Sequence, residues 1–162
     1  MTFLLVLFAS LVIASLFGHL IHWVIHQRWS GPFHRSHMEH HLELYPPGDL
    51  LSETYRASKW YHSGTFLFTP PLVVILAVTG GLSWWAGVPL WALVTFGTTL
   101  VGFGLLNDFV HDNSHVRGHW LNRFAWFRKA RDIHFVHHRN MRKNFGIFYF
   151  GWDKLFGTYR EG

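Results

Sequence analysis

Ten of the fourteen histidines in this 162-residue chain fall into four clusters. Two have the form HxxxH: "HWVIH", with His22 and His26, and "HDNSH", with His111 and His115. Two have the form HxxHH: "HMEHH", with His37, His40 and His41, and "HFVHH", with His134, His137 and His138. Residues three and four apart share one face of a helix, so each cluster presents two or three imidazoles side by side. Imidazole suits iron, zinc, copper and nickel. Ten neutral rings exceed the four ligands of a zinc site, whereas two ions with about five ligands each would use them all. The chain has no cysteine, so thiolate sites and disulfides are excluded and any metal must be held by His, Asp or Glu.

The zinc-protease pattern HExxH is absent, and so is HxxEH, because Ser36 stands where its first histidine would be. Bis-histidine haem ligation would place the rings within the bilayer rather than at its edge. Glu39, Asp108, Asp112 and Asp153 are the nearby carboxylates, able to orient ligand rings by accepting their second N–H. For His19, His34, His62 and His119 the spacing favours supporting or interfacial packing over ligation.

The elements that must position these rings are read from charge and hydropathy. Only 14% of residues are charged, and 49% are hydrophobic, a balance that points to a membrane. Residues 3–21 carry no Asp, Glu, Lys or Arg, about the length needed to cross ~30 Å of hydrocarbon. A cleavable leader would have basic residues ahead of that stretch, and there are none. Residues 60–107 are also free of formal charge, enough for two crossings. The glycines and proline of "TGGLSWWAGVP" (79–89) place the hairpin between them. The expectation is an all-α integral membrane protein. It is a single domain over 1–162, with crossings near 3–24, 66–83 and 87–107 and a kink at Pro70 and Pro71. Trp84, Trp85 and Trp91 belong at the far interface.

All fourteen Lys and Arg lie in 28–59 or 117–160. Three crossings put both regions, and with them the histidine motifs of 22–41 and 111–138, on one face. The positive-inside rule makes that face cytoplasmic, in the plasma membrane of a bacterium or the endoplasmic reticulum of a eukaryote. "NRFAWFRKARDIHF" (122–135) reads as an amphipathic interfacial helix, "LYPPGDL" (44–50) as a turn, and the aromatic tail from Phe145 to Tyr159 as an interfacial belt. The net charge of +5 is confined beside the membrane, which argues against nucleic-acid binding.

The order HxxxH, HxxHH, HxxxH, HxxHH around hydrophobic hairpins resembles the fatty acid hydroxylase/sterol desaturase superfamily, over roughly residues 19–160. The tail "NFGIFYFGWDKLFGTYR" (144–160) is similar to the end of that family, and "HWVIHQRWSGPFHRSHMEHH" is partly similar to its small carotenoid hydroxylases. The resemblance implies a membrane-bound, non-haem di-iron oxygenase. Its ligands would be His22, His26, His37, His40, His41, His111, His115, His134, His137 and His138, with Glu39, Asp112 and Asp153 behind them. Zinc could replace iron in isolated protein.

The implied reaction uses O2 to hydroxylate or desaturate an unactivated C–H bond of a lipid: a fatty acyl chain, a sterol or a carotenoid. The chain has no flavin motif, haem domain or iron–sulfur cysteines. Electrons must therefore come from an external donor such as ferredoxin or a small cytochrome, docking on Arg123, Arg128, Lys129, Arg131, Arg139, Arg142 and Lys143. Those same residues suit anionic headgroups equally well. Two other readings compete: a non-catalytic metal-binding or transport protein, and a zinc-dependent membrane hydrolase. The two later crossings contain no acidic residue, which counts against transport.

Overall fold

A computed structural model describes residues 2–58 and 64–162; the expectation for His62 lies outside them. Helix α1 spans Thr2–Ile25, α2 Pro32–Glu39, α3 Gly64–Trp85, α4 Leu90–Ser114, α5 Ala125–Arg139 and α6 Gly151–Leu155. A π-helical turn, His40–Leu44, continues α2, and short 3-10 turns occupy Arg28–Ser30 and Trp120–Arg123. Among the described residues there is no strand, only an isolated bridge between Ser52 and Val116.

Helices α1 and α4 are long and apolar enough to cross a membrane. At about 1.5 Å per residue each measures roughly 36 Å, against ~30 Å of hydrocarbon. Their outer faces leave Phe3, Leu4, Phe8, Val94 and Leu105 exposed, as a lipid-facing surface requires. They run in the same direction: Phe3 meets Trp91 near both N-termini, and the histidines at both C-termini converge. On α1, Ser10 and Ala14 are buried and Gly18 meets the Phe103 ring. These small residues recur every four positions, which lets α4 approach closely. The next position on that stripe is His22, so the face that packs against α4 becomes the face that presents a ring.

Helix α3 returns antiparallel to α4. Its described apolar stretch, Thr69–Trp85, is shorter than α1 or α4, and it continues as helix through Pro70 and Pro71. The hairpin differs from the expectation. Gly80 and Gly81 lie within α3, and the turn is confined to 86–89, where Gly87 has φ 68° and Pro89 caps α4. Glycine costs a helix only about 1 kcal/mol relative to alanine, which the surrounding apolar run of α3 outweighs. Trp84, Trp85 and Trp91 are exposed at this end.

The remaining elements form a cap over the C-terminal ends of α1 and α4. The interfacial helix begins at Ala125 rather than 122, after the 3-10 turn, and reaches Arg139. It buries Phe127, Ala130, Ile133, His134, His137 and His138 on one side and exposes Arg128, Lys129 and Asp132 on the other. Phe127 joins Val110, Leu121 and Ile147 in one apolar cluster. Tyr45, Leu50 and Phe135 form a second beneath the 44–50 turn. The aromatic tail is not a uniform belt. Phe145 and Ile147 are buried, whereas Tyr149, Leu155 and Phe156 are exposed, because the tail folds back over the histidine layer.

Candidate metal centre

The ten clustered histidines form two groups of five, and in each the candidate ligand atoms all lie within 4.8 Å of one another. The α1 group contains His22, His26, His37, His41 and His137; the α4 group contains His40, His111, His115, His134 and His138. Each group takes an i, i+4 pair from a long apolar helix, an i, i+4 pair from a cap helix, and one ring that crosses over. Thus His37 and His41 join the α1 group while His40, between them, turns to the other. Likewise His134 and His138 join the α4 group while His137 turns away. The π-helical turn starting at His40 is a feature frequent at functional sites, and it falls where one motif divides between the two groups. The groups are adjacent, with the His41 and His138 ring centroids 4.1 Å apart.

In the α1 group, His22 Nε2 lies 3.2 Å from His37 Nε2, His26 Nε2 lies 2.9 Å from both His37 Nε2 and His137 Nε2, and His41 Nε2 lies 3.1 Å from His37 Nε2. In the α4 group, His134 Nε2 lies 3.0 Å from His115 Nε2 and 3.1 Å from His138 Nε2. Opposite nitrogens fix several tautomers. His22 Nδ1–H donates to the Phe145 carbonyl at 2.7 Å and His137 Nδ1–H to that of Lys143 at 2.6 Å. His115 Nδ1–H donates to the Leu50 carbonyl at 2.9 Å and His138 Nδ1–H to that of Tyr45 at 2.9 Å. A carbonyl only accepts, so these four rings turn Nε2 lone pairs inward.

That arrangement fits bound cations. His134 Nε2 faces the lone pairs of both His115 and His138, and one proton cannot satisfy two acceptors. His40 Nε2 is buried with no hydrogen-bond partner. A metal–imidazole bond of about 2.0–2.1 Å sets ligands at right angles roughly 2.9 Å apart, close to the N···N spacings here. Five nitrogens exceed a tetrahedral set, so the donor set suits a five- or six-coordinate ion such as iron better than structural zinc.

Burial keeps the rings neutral. Desolvation, reinforced by neighbouring imidazoles, holds His37, His40, His41, His134 and His137 well below the ordinary 6.5. The same causes push His26 and His138 down to about 2 and His115 to about 3. Neutral imidazole is the form that binds metal.

The carboxylates stand one layer out, and none belongs to either group. His111 Nδ1 lies 3.0 Å from Asp112 Oδ1. Glu39 accepts a hydrogen bond from Ser58. Asp108 is buried near the end of α4. Asp153 accepts from the backbone N–H of Phe145 and Gly146 and from the Thr158 hydroxyl, so it holds main chain rather than a ligand ring. Of the remaining histidines, His19 is buried with Nδ1 3.6 Å from Asp153, His34 Nδ1–H donates to the Ile25 carbonyl, and His119 caps the 3-10 turn.

Sequence reasoning did not single out four positions that the structure brings to the site. The Phe145 ring lies edge-on to His19, His22, His26 and His137. The Tyr45 ring stacks on His115, with centroids 3.9 Å apart. Tyr55 borders His40 and His111, and burial together with Asp112 pushes its phenol up. Asn107, buried near the end of α4, lines two small clefts. The first is apolar and includes Ala14, Leu72, Leu100 and Gly104. The second continues past Gly18 and His19 to Phe145. Tyr45, four residues past an HxxHH motif, and Asn107, a polar residue ending an apolar run, carried the available signals.

Beta-carotene hydroxylase of Paracoccus sp. (strain PC1) is 26% identical over 158 residues, covering 92% of this chain and 85% of that protein. No solved structure matches the chain significantly. The family profile described as fatty acid hydroxylase matches residues 7–158, nearly the full length, and the chain belongs to the fatty acid hydroxylase family.

Proposed function

We propose that this protein is a membrane-embedded di-iron oxygenase that hydroxylates an unactivated C–H bond of an apolar lipid, with carotenoids the first class to test. The observation that carries the reading is the convergence of ten imidazoles into two adjacent groups of five. The overall conversion balances as RH + O2 + 2 e− + 2 H+ → ROH + H2O. The two groups of five imidazoles would hold two ferrous ions, whose chemistry when bound would be reductive activation of dioxygen. The chain supplies the rest. Carbonyls of Tyr45, Leu50, Lys143 and Phe145 hold four rings with Nε2 inward. Buried aromatic side chains Phe145 and Tyr45 keep water from the ring nitrogens.

A lipid substrate is supported by the long apolar helices α1 and α4, whose exposed apolar faces end at the two histidine groups. The carotenoid class rests on the likeness to the Paracoccus protein. In this reading α1, α3 and α4 cross the bilayer and the histidine cap is cytoplasmic. An external ferredoxin or small cytochrome delivers both electrons; Arg139 and Arg142, exposed at the end of α5, offer it a cationic surface. A zinc hydrolase or passive metal store would not need two five-nitrogen sets.

The test is anaerobic loading of purified protein with ferrous iron, followed by incubation with β-carotene, an electron donor and O2, and lipid mass spectrometry. A product heavier by one oxygen supports the proposal, and one lacking two hydrogens indicates desaturation. Uptake of one zinc per chain with no oxygen consumption overturns it.

A further inference from the structure

The tail "NFGIFYFGWDKLFGTYR" contains no clustered histidine, yet it supplies or adjoins the carbonyls that hold two rings of one group. Asp153 is fully buried and bound on three sides. It accepts from Phe145 N–H at 2.7 Å, Gly146 N–H at 2.8 Å and Thr158 Oγ1–H at 2.7 Å. Asn144, also fully buried and held at φ 57°, locks the same segment from the other side. Its side-chain amide donates to the Ile133 and Arg160 carbonyls, its Oδ1 accepts from Arg160 N–H, and its own N–H donates to the Thr158 carbonyl. The segment so gripped carries the Phe145 and Lys143 carbonyls, the acceptors for His22 and His137. Both rings belong to the α1 group. The α4 group takes its carbonyls from Tyr45 and Leu50 instead. Gly146 completes the grip: a Cβ there would lie 2.3 Å from the Tyr149 carbonyl oxygen and 2.8 Å from Asp153 Oδ2.

We propose that residues 143–160 form a clasp serving one metal position. Asp153 is a positioning residue that fixes the 143–146 main chain, so that Phe145 and Lys143 aim His22 and His137 into the α1 group. The clasp rests on the reading of both groups as metal sites. Partners one layer behind a ligand typically contribute 10–100-fold to metal affinity. Here that contribution is confined to one of two ions.

The experiment is an anaerobic titration with ferrous iron, counting bound ions in full-length protein in detergent, with D153A placed in two backgrounds. H26A disables the α1 group and H111A disables the α4 group, each leaving one ion. D153A weakens the remaining ion 10–100-fold in the H111A background and leaves it unchanged in the H26A background. Equal weakening in both, or in neither, overturns the clasp. Wild-type protein that binds fewer than two ions overturns the underlying reading instead, so the two failures are separable. If D153A does not fold, as judged by helical circular dichroism, T158V removes only the hydroxyl donor to Asp153 and enters the same cycle. It then weakens the α1-group ion alone, by less than tenfold, and the same equal or null outcomes overturn the proposal.

Discussion

The two histidine groups have the same composition and nearly the same plan, but their supports are unrelated. The α1 group leans on the C-terminal tail, through Phe145 and Lys143. The α4 group leans on the turn after α2, where Tyr45 and Leu50 offer the carbonyls and the Tyr45 ring stacks on His115. That turn is tied to the end of α4 by backbone bonds between Ser52 and His115 and between Arg117 and Ser52. One ring from each HxxHH motif crosses to the other group, so the groups share helices while their outer supports stay separate. Paired centres can therefore be coupled through their ligands and still be damaged one at a time.

The largest expected effect is at a crossing ring. H137A removes the α5 contribution to the α1 group, should lower iron content from two ions to one, and should abolish hydroxylation; metal counting with a turnover assay checks both. Full retention of either would show that His137 is not a ligand. Next is G146A, whose added methyl must displace the Tyr149 carbonyl or Asp153. It should cost about 1–3 kcal/mol of stability through unpaired buried donors and weaken the α1-group ion while sparing the other. Equal weakening of both ions would erase the distinction between the supports.

A pH titration of the metal-free protein probes what the groups have in common. Their buried rings have pKa values depressed below 6.5, with His115 near 3 and His138 near 2. A depressed group contributes stability above its unfolded value that is lost as pH falls toward the folded value. Thermal denaturation of metal-free protein should accordingly be steady above pH 6.5 and fall progressively below it. Iron should suppress that fall until the ions are released. A flat profile from neutral to acid pH would contradict neutral, buried rings. The smallest effect belongs to R56A. Arg56 bonds the Leu44 carbonyl and an exposed Asp49 on the turn beneath the α4 group. Such solvent-screened surface pairs contribute little to stability. Loss of the α4-group ion in that variant would mean the turn is less self-supporting than its buried Tyr45 and Leu50 suggest.

The chemistry of the centre was legible because it depends on residue type and helical spacing, both local properties. Four clusters and ten rings follow from the positions of His22 to His138 alone. The partition was not legible. Nothing local distinguishes His40 from His41, or His137 from His138; which group each joins depends on where α2 and α5 lie relative to α1 and α4. The hairpin was placed too broadly because Gly80 and Gly81 read as breakers, whereas α3 continues through them to Trp85. Asp153 was singled out as a carboxylate near the rings, yet it acts through the amides of Phe145 and Gly146, a link that needs the tail's path. Its sequence trace was the polar set Asn144, Asp153 and Thr158 within an otherwise aromatic tail.

The central claim is two metal positions, each built from five imidazoles. Its most direct test is the iron content of anaerobically loaded wild-type protein beside H26A and H111A. Two ions, falling to one in each variant and to none in the double variant, is the result required. A single ion in the wild type, or variants that keep the full complement, would contradict it.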